Sequence, residues 1–115
     1  MAIKRYESDA HMSRVVEANG MIFLTGVTAQ DRSNNLKDQT AEVLSTIDQK
    51  LMLAGSDKSK VLSATCYLSD KSKEPEMNEA WEAWVQPGCQ PARATVGATL
   101  GSPDTLVEIV LIAMK

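Results

Sequence analysis

The 115-residue sequence predicts an α+β domain of six strands and two helices, in the order β-β-β-α-β-α-β-β. Three observations carry this. Asn19-Gly20 stands between two strand-like runs, the strongest short hairpin signal, because a type I′ turn needs positive φ at both central residues. Two stretches, one from Leu36 and one from Pro75, repeat apolar residues at helical spacing. Strand-like runs follow each of them, Val61–Leu68 after the first and the segments carrying Arg93 and Glu108 after the second. The length fits one domain over residues 1–115, with a single core.

Ala2-Ile3-Lys4-Arg5-Tyr6 reads as a short edge strand, and Arg14–Ala18 as the first arm of the hairpin. The return arm, Met21–Val27, is apolar on both faces and so belongs inside a sheet. Thr25-Gly26 ends it with a residue that lets backbone approach a ligand closely. Residues 28–35 form a polar loop, and Asn35 can cap the helix that follows, with Asp38 in its first turn. That helix runs from Leu36 to Ala54, with Leu36, Thr40, Leu44, Ile47, Leu51 and Ala54 as one buried stripe, and Gly55 stops it. Residues 56–60 are a connector with room for one helical turn.

Val61–Leu68 reads as a strand, with Ala64, Cys66 and Leu68 on one face and Ser63, Thr65 and Tyr67 on the other. Cys66 is thereby a small core residue rather than a nucleophile. Ser69–Glu74 is a charged loop, and Pro75 suits the first position of the second helix. Met77, Ala80, Trp81, Trp84 and Val85 make its apolar face, so the two tryptophans read as core packing, not as an aromatic ligand box. Pro87-Gly88 ends this helix. A strand within Gln90–Ala98 carries Arg93, and after a turn at Gly101–Asp104 the last strand, Val107–Ala113, carries Glu108.

Charge narrows the partners. The net charge is −3 and the isoelectric point about 5.1. No stripe of Lys or Arg is present to bind phosphates, so no nucleic-acid partner is expected. The longest apolar run is far too short to span a bilayer, and no membrane partner is expected. The N-terminus lacks the apolar segment of a secretory signal, and the expected location is cytoplasmic. Cys66 and Cys89 form no metal-type spacing and are expected to stay reduced.

Arg93 and Glu108 each stand among small or apolar residues in mid-strand. A charge so placed is costly unless it is paired or faces a cavity. One reading is a structural ion pair at a sheet edge or subunit seam. The other is a carboxylate-binding Arg beside a Glu that handles water or a proton. Two helices can cover only one face of a six-stranded sheet, yet Met21–Val27 and Val107–Ala113 are apolar on both faces. The uncovered face is therefore expected to be buried against another copy of the chain.

Four segments, in their order and spacing, resemble the RidA (YjgF) family of enamine/imine deaminases, and most of all its short YoaB-like branch. They are Asn19–Gly26, Met77–Trp84, Pro91–Val96 and Val107–Ile109. The resemblance implies a chorismate-mutase-like subunit with a mixed six-stranded sheet, two helices on one face, and a barrel-like homotrimer with clefts between subunits. It implies hydrolysis of small 2-enamino or 2-imino acids, such as 2-aminoacrylate, to the 2-keto acid and ammonia, with no metal or organic cofactor. Arg93 matches the arginine that grips the substrate carboxylate, and Glu108 the glutamate that positions or activates water. Thr25 stands at a small hydroxyl position, Gly26 and Val27 match the backbone lining the cleft, and Asn78 matches an asparagine at its edge. Thr95 takes the place of a Cys in many relatives. Met12 takes the place of a Tyr, which removes a phenolic hydroxyl and opens the alternative of a protein that binds a keto or imino acid without turnover; His11 beside it reads as a solvated side chain. Ribonuclease activity, attached to some relatives, is not expected from the acidic charge.

Overall fold

Asn19 and Gly20 take φ of 54° and 75°, as the hairpin requires. They join β2 (Ser13–Ala18) to β3 (Met21–Thr28), while β1 (Ile3–Ser8) lies outside β2 at the sheet edge. The computed structural model describes residues 2–115. After β3 come α1 (Leu36–Leu53), β4 (Val61–Leu68), α2 (Glu74–Trp84), β5 (Ala92–Gly97) and β6 (Val107–Met114). The sheet order is β1-β2-β3-β6-β4-β5. Only β4 and β5 run parallel, and α2 is the crossover that such a pair needs. The fold class is thus the α+β arrangement expected, a mixed sheet with both helices on one face.

Asn35 caps α1, its side-chain oxygen accepting from the Asp38 N–H at 2.9 Å. Every residue of the expected stripe on α1 is buried. It meets the inward rows of the sheet, among them Ile22, Leu24, Ile109 and Leu111. Each such side chain contributes about 1.5–3 kcal/mol on leaving water. Gln39 was not part of that stripe, yet it is fully buried. Its amide donates to the Asn34 and Asp104 carbonyls at 3.1 and 2.9 Å, and its oxygen accepts from the Leu106 N–H at 3.1 Å. One side chain so ties α1 to the loops before it and before β6.

Local boundaries differ for physical reasons. Residues 71–73, read as loop, form a 3₁₀ turn, with Asp70 accepting from the Ser72 N–H at 3.1 Å. The helix therefore starts at Glu74, and Pro75 is its second residue. Val85 lies just beyond it in extended conformation.

The other sheet face carries no helix. Phe23, Val96 and Met114 there are 39%, 42% and 49% exposed, and Val110 and Ile112 are half-buried beside them. This is the apolar surface that the patterns of β3 and β6 lead one to expect. Among the described residues, no helix is long and apolar enough to cross a membrane.

Candidate functional site

Arg93 lies on the edge strand β5 and shares a rung with buried Ala64 of β4. Partners on one rung point to the same face, so Arg93 projects to the helix side. Its guanidinium carbon lies over the Trp81 ring of α2, 5.1 Å from the centroid, and Nη2 donates to Glu74 Oε2 at 3.1 Å. The side chain keeps 21% of its surface exposed. Among the described residues, its other N–H groups meet no acceptor. Trp81 is thus both a core residue and a wall beneath the Arg93 guanidinium, which it attracts through its ring face.

Glu74, Asn78 and Trp81 follow one face of α2 at i, i+4 and i+7. Since the outer two touch Arg93, Asn78 faces the same strand. Asn78 Oδ1 and Thr95 Oγ1 are buried without a hydrogen-bond partner. Buried polar atoms are nearly always satisfied, so two orphans on the surfaces around one guanidinium mark a place suited to a polar ligand or water. Cys66 shares a rung with Thr95, and burial pushes its thiol up to about 11. It is therefore inert at neutral pH, as expected of a small core residue. Glu74 was not singled out in the sequence; its place directly before Pro75, at the start of a helix, was the available signal.

Glu108 is on β6, on a rung with Thr28 of β3 and Tyr67 of β4. The register of β3 with β6 shifts between Leu24 and Val27, so Thr25 and Gly26 form a bulge opposite Val110, next along the same face of β6 from Glu108. A Cβ built on Gly26 would stand 2.0 Å from Glu108 Oε2 and 2.8 Å from its Cδ. Gly26 thus makes the room that the carboxylate occupies. The Val27 side chain is buried in the core, which leaves its backbone alone for any cleft. Thr25 Oγ1 donates to Met12 Sδ at 3.5 Å. The loop carrying Met12 is held by Asp9, whose carboxylate accepts from the His11 and Met12 N–H groups at 2.7 and 3.0 Å and from Arg14. These contacts, the His11 N–H first, lower the Asp9 pKa to about 2. His11 itself is exposed.

The structure brings together Arg93, Asn78 and Thr95 on one side, and Thr25, Gly26 and Glu108 on another. It does not bring the two groups together within one chain. Ala64 and Tyr67, the β4 partners of Arg93 and Glu108, differ by an odd number of residues in a regular strand, so their side chains point to opposite faces. The pairing of Arg93 with Glu108 considered from sequence is therefore absent in the protomer: the partner of Arg93 is Glu74. A groove of about 390 Å³ between α1 and α2, lined by Ala41, Leu44, Asp48 and Trp84 among others, contains neither charge. No three His, Cys, Asp or Glu side chains cluster to hold a metal among the described residues.

Residues 2–115 match the family described as Endoribonuclease L-PSP. The chain is 42% identical over 113 residues to the RutC family protein YoaB of Escherichia coli strain K12, covering 98% of each. It is 40% identical over 111 residues to a RutC family protein of Haemophilus ducreyi, covering 96% of this chain and 95% of the relative. Among solved structures, a YjgF family member from Neisseria meningitidis superposes with a TM-score of 0.95 at 44% identity, covering 100% of this chain and 96% of that one. A protein of the Rid family from Yersinia pestis, described as of unknown function, superposes at 0.90 with 25% identity, covering 99% and 100%.

Proposed function

Because this chain belongs to the Endoribonuclease L-PSP family, the group of the YjgF, Rid and RutC proteins, we propose that it hydrolyses small reactive 2-enamino and 2-imino acids to the 2-keto acid and ammonia. The observation that carries this reading is Arg93, a half-buried guanidinium lying over the Trp81 ring with N–H donors to spare. A planar fork can make two parallel bonds to a carboxylate, and each charge-assisted bond contributes about 1.5–3 kcal/mol.

In this proposal the working cleft lies between subunits of a homotrimer. Arg93 of one copy faces Glu108 of its neighbour, because the two point to opposite faces of their own sheet. The apolar helix-free face supports such an assembly. Arg93 grips the substrate carboxylate and so fixes the C=N carbon. Glu108 holds a water molecule against that carbon and takes its proton as the oxygen attacks. The C=N electron pair moves to nitrogen, which gains a proton. In the collapse of the carbinolamine its hydroxyl loses a proton and becomes the keto oxygen, the nitrogen gains a proton by way of Glu108, and the C–N bond breaks to release ammonia.

The test is release of pyruvate and ammonia from 2-aminoacrylate generated in the cuvette, set against the rate without protein. Acceleration is expected; no acceleration, with or without keto-acid binding, overturns the deaminase reading. A second reading has one observation in its favour: the Thr25 hydroxyl is directed at the Met12 thioether, which cannot relay a proton. A protein that grips a keto or imino acid at Arg93 without turnover fits that contact, and binding without acceleration identifies it. The name of the family includes a ribonuclease, but a net charge of −3 favours a small acid over an RNA backbone.

A further inference from the structure

Arg93 does not stand alone. Glu74 Oε2 receives its Nη2, and Glu74 Oε1 pairs with Lys71 one turn earlier. The three form a row of cation, anion and cation, with a summed charge of +1. Glu74 is the only member held from both sides, and its side chain is 25% exposed. Lys71 and Arg93 hold its carboxyl below the usual carboxylate range, so it is anionic at neutral pH. Its monodentate contact leaves the remaining guanidinium donors for a ligand.

From this arrangement we infer that Glu74 is a specificity-determining residue, which restricts the Arg93 site to acids with a single negative charge. The inference rests on Arg93 as the carboxylate grip of the proposed function. A monoanion arriving at Arg93 meets a row of charge +1 and cancels it; the neighbour's Glu108, which the proposed cleft adds, is common to every protein compared and further penalises a second negative charge. A dicarboxylate brings a second charge into the field of the Glu74 carboxylate and leaves a net negative cluster in a partly desolvated place, which is costly. Without Glu74, Lys71 and Arg93 would offer +2, a good match for a dianion. The carboxylate therefore acts as a charge filter that admits 2-keto and 2-imino acids with apolar side chains and repels those with acidic ones.

The experiment compares binding of 2-oxobutanoate, a monoanion, and 2-oxoglutarate, a dianion, to the wild-type oligomer, to Glu74→Gln and to Lys71→Ala. The wild type is expected to favour 2-oxobutanoate. Glu74→Gln should shift the affinity ratio toward the dianion by about fivefold or more, the change expected from removing one like charge at a partly exposed site. Lys71→Ala should shift it the opposite way. The ligands differ in size as well as charge, but that difference cancels in the ratio between proteins. An unchanged ratio in Glu74→Gln, with 2-oxobutanoate still bound, overturns the charge filter and leaves the Arg93 site standing. Failure of the wild type to bind either acid overturns both.

Discussion

Gly26→Ala tests the Glu108 carboxylate without touching any charge. The new methyl would sit 2.0 Å from Glu108 Oε2, 2.8 Å from Cδ and 3.1 Å from Cγ. Comfortable contact between heavy atoms begins near about 3.5 Å, so the carboxylate oxygen must retreat by about 1.5 Å. The clash falls on the far end of a flexible chain. Turning Glu108 to another rotamer relieves it, at a stability cost of about 0.5–1.5 kcal/mol. The catalytic cost is larger, since a misplacement of about 1 Å can lower a rate by about 100-fold. Turnover of 2-aminoacrylate should therefore fall by about 10- to 100-fold, while 2-oxobutanoate still binds at Arg93. The assay pairs pyruvate release with calorimetric titration of the keto acid. Full turnover in a folded Gly26→Ala protein would refute the role given to the position of Glu108. Equal loss of binding and turnover would refute the division of labour between the two charges.

Arg93→Lys keeps the charge but loses the planar fork and its fit to Trp81; keto-acid affinity should weaken by about tenfold or more, read by titration. Gln39→Leu removes bonds to Asn34, Asp104 and Leu106 in a fully buried place. It should destabilise the fold by about 2–4 kcal/mol in a denaturant titration, through the unpaired groups left behind. Asp9 has its pKa lowered from 3.8 to about 2, so its contribution is complete above the higher value and lost as pH falls through the lower. The melting temperature of Asp9→Asn should lie below that of the wild type near neutrality, and the gap should close between those two pH values.

Much of the fold was legible because period and punctuation agree. Asn19-Gly20 dictates its own turn, the α1 stripe repeats at helical spacing, and Asn35 caps where a cap is needed. The two-faced apolar character of β3 and β6 foretold the bare sheet face. Gln39 escaped because a polar residue on a helix reads as solvent-facing, and only the meeting of two distant loops makes its burial tolerable. The candidate site could be named from the sequence as a set of residues, but not as an arrangement. Alternation within β5 says that Arg93 and Thr95 share a face, but not which one; the parallel rung with Ala64 decides that. The Arg93–Glu74 pair was hidden because Glu74 lay in a run of Lys, Ser and Asp that reads as solvated loop. The bulge at Thr25-Gly26 depends on β6, some eighty residues away in sequence.

Subunit mixing tests the shared cleft most directly. Arg93→Ala and Glu108→Gln proteins, each expected to be inactive alone, are unfolded together in equal amounts and refolded. If each cleft takes its arginine from one copy and its glutamate from the next, random assembly leaves both intact in about a quarter of the clefts. Recovery of about that share of wild-type turnover is expected. A mixture as inactive as its two parents, from a refolded and fully mixed oligomer, would contradict it.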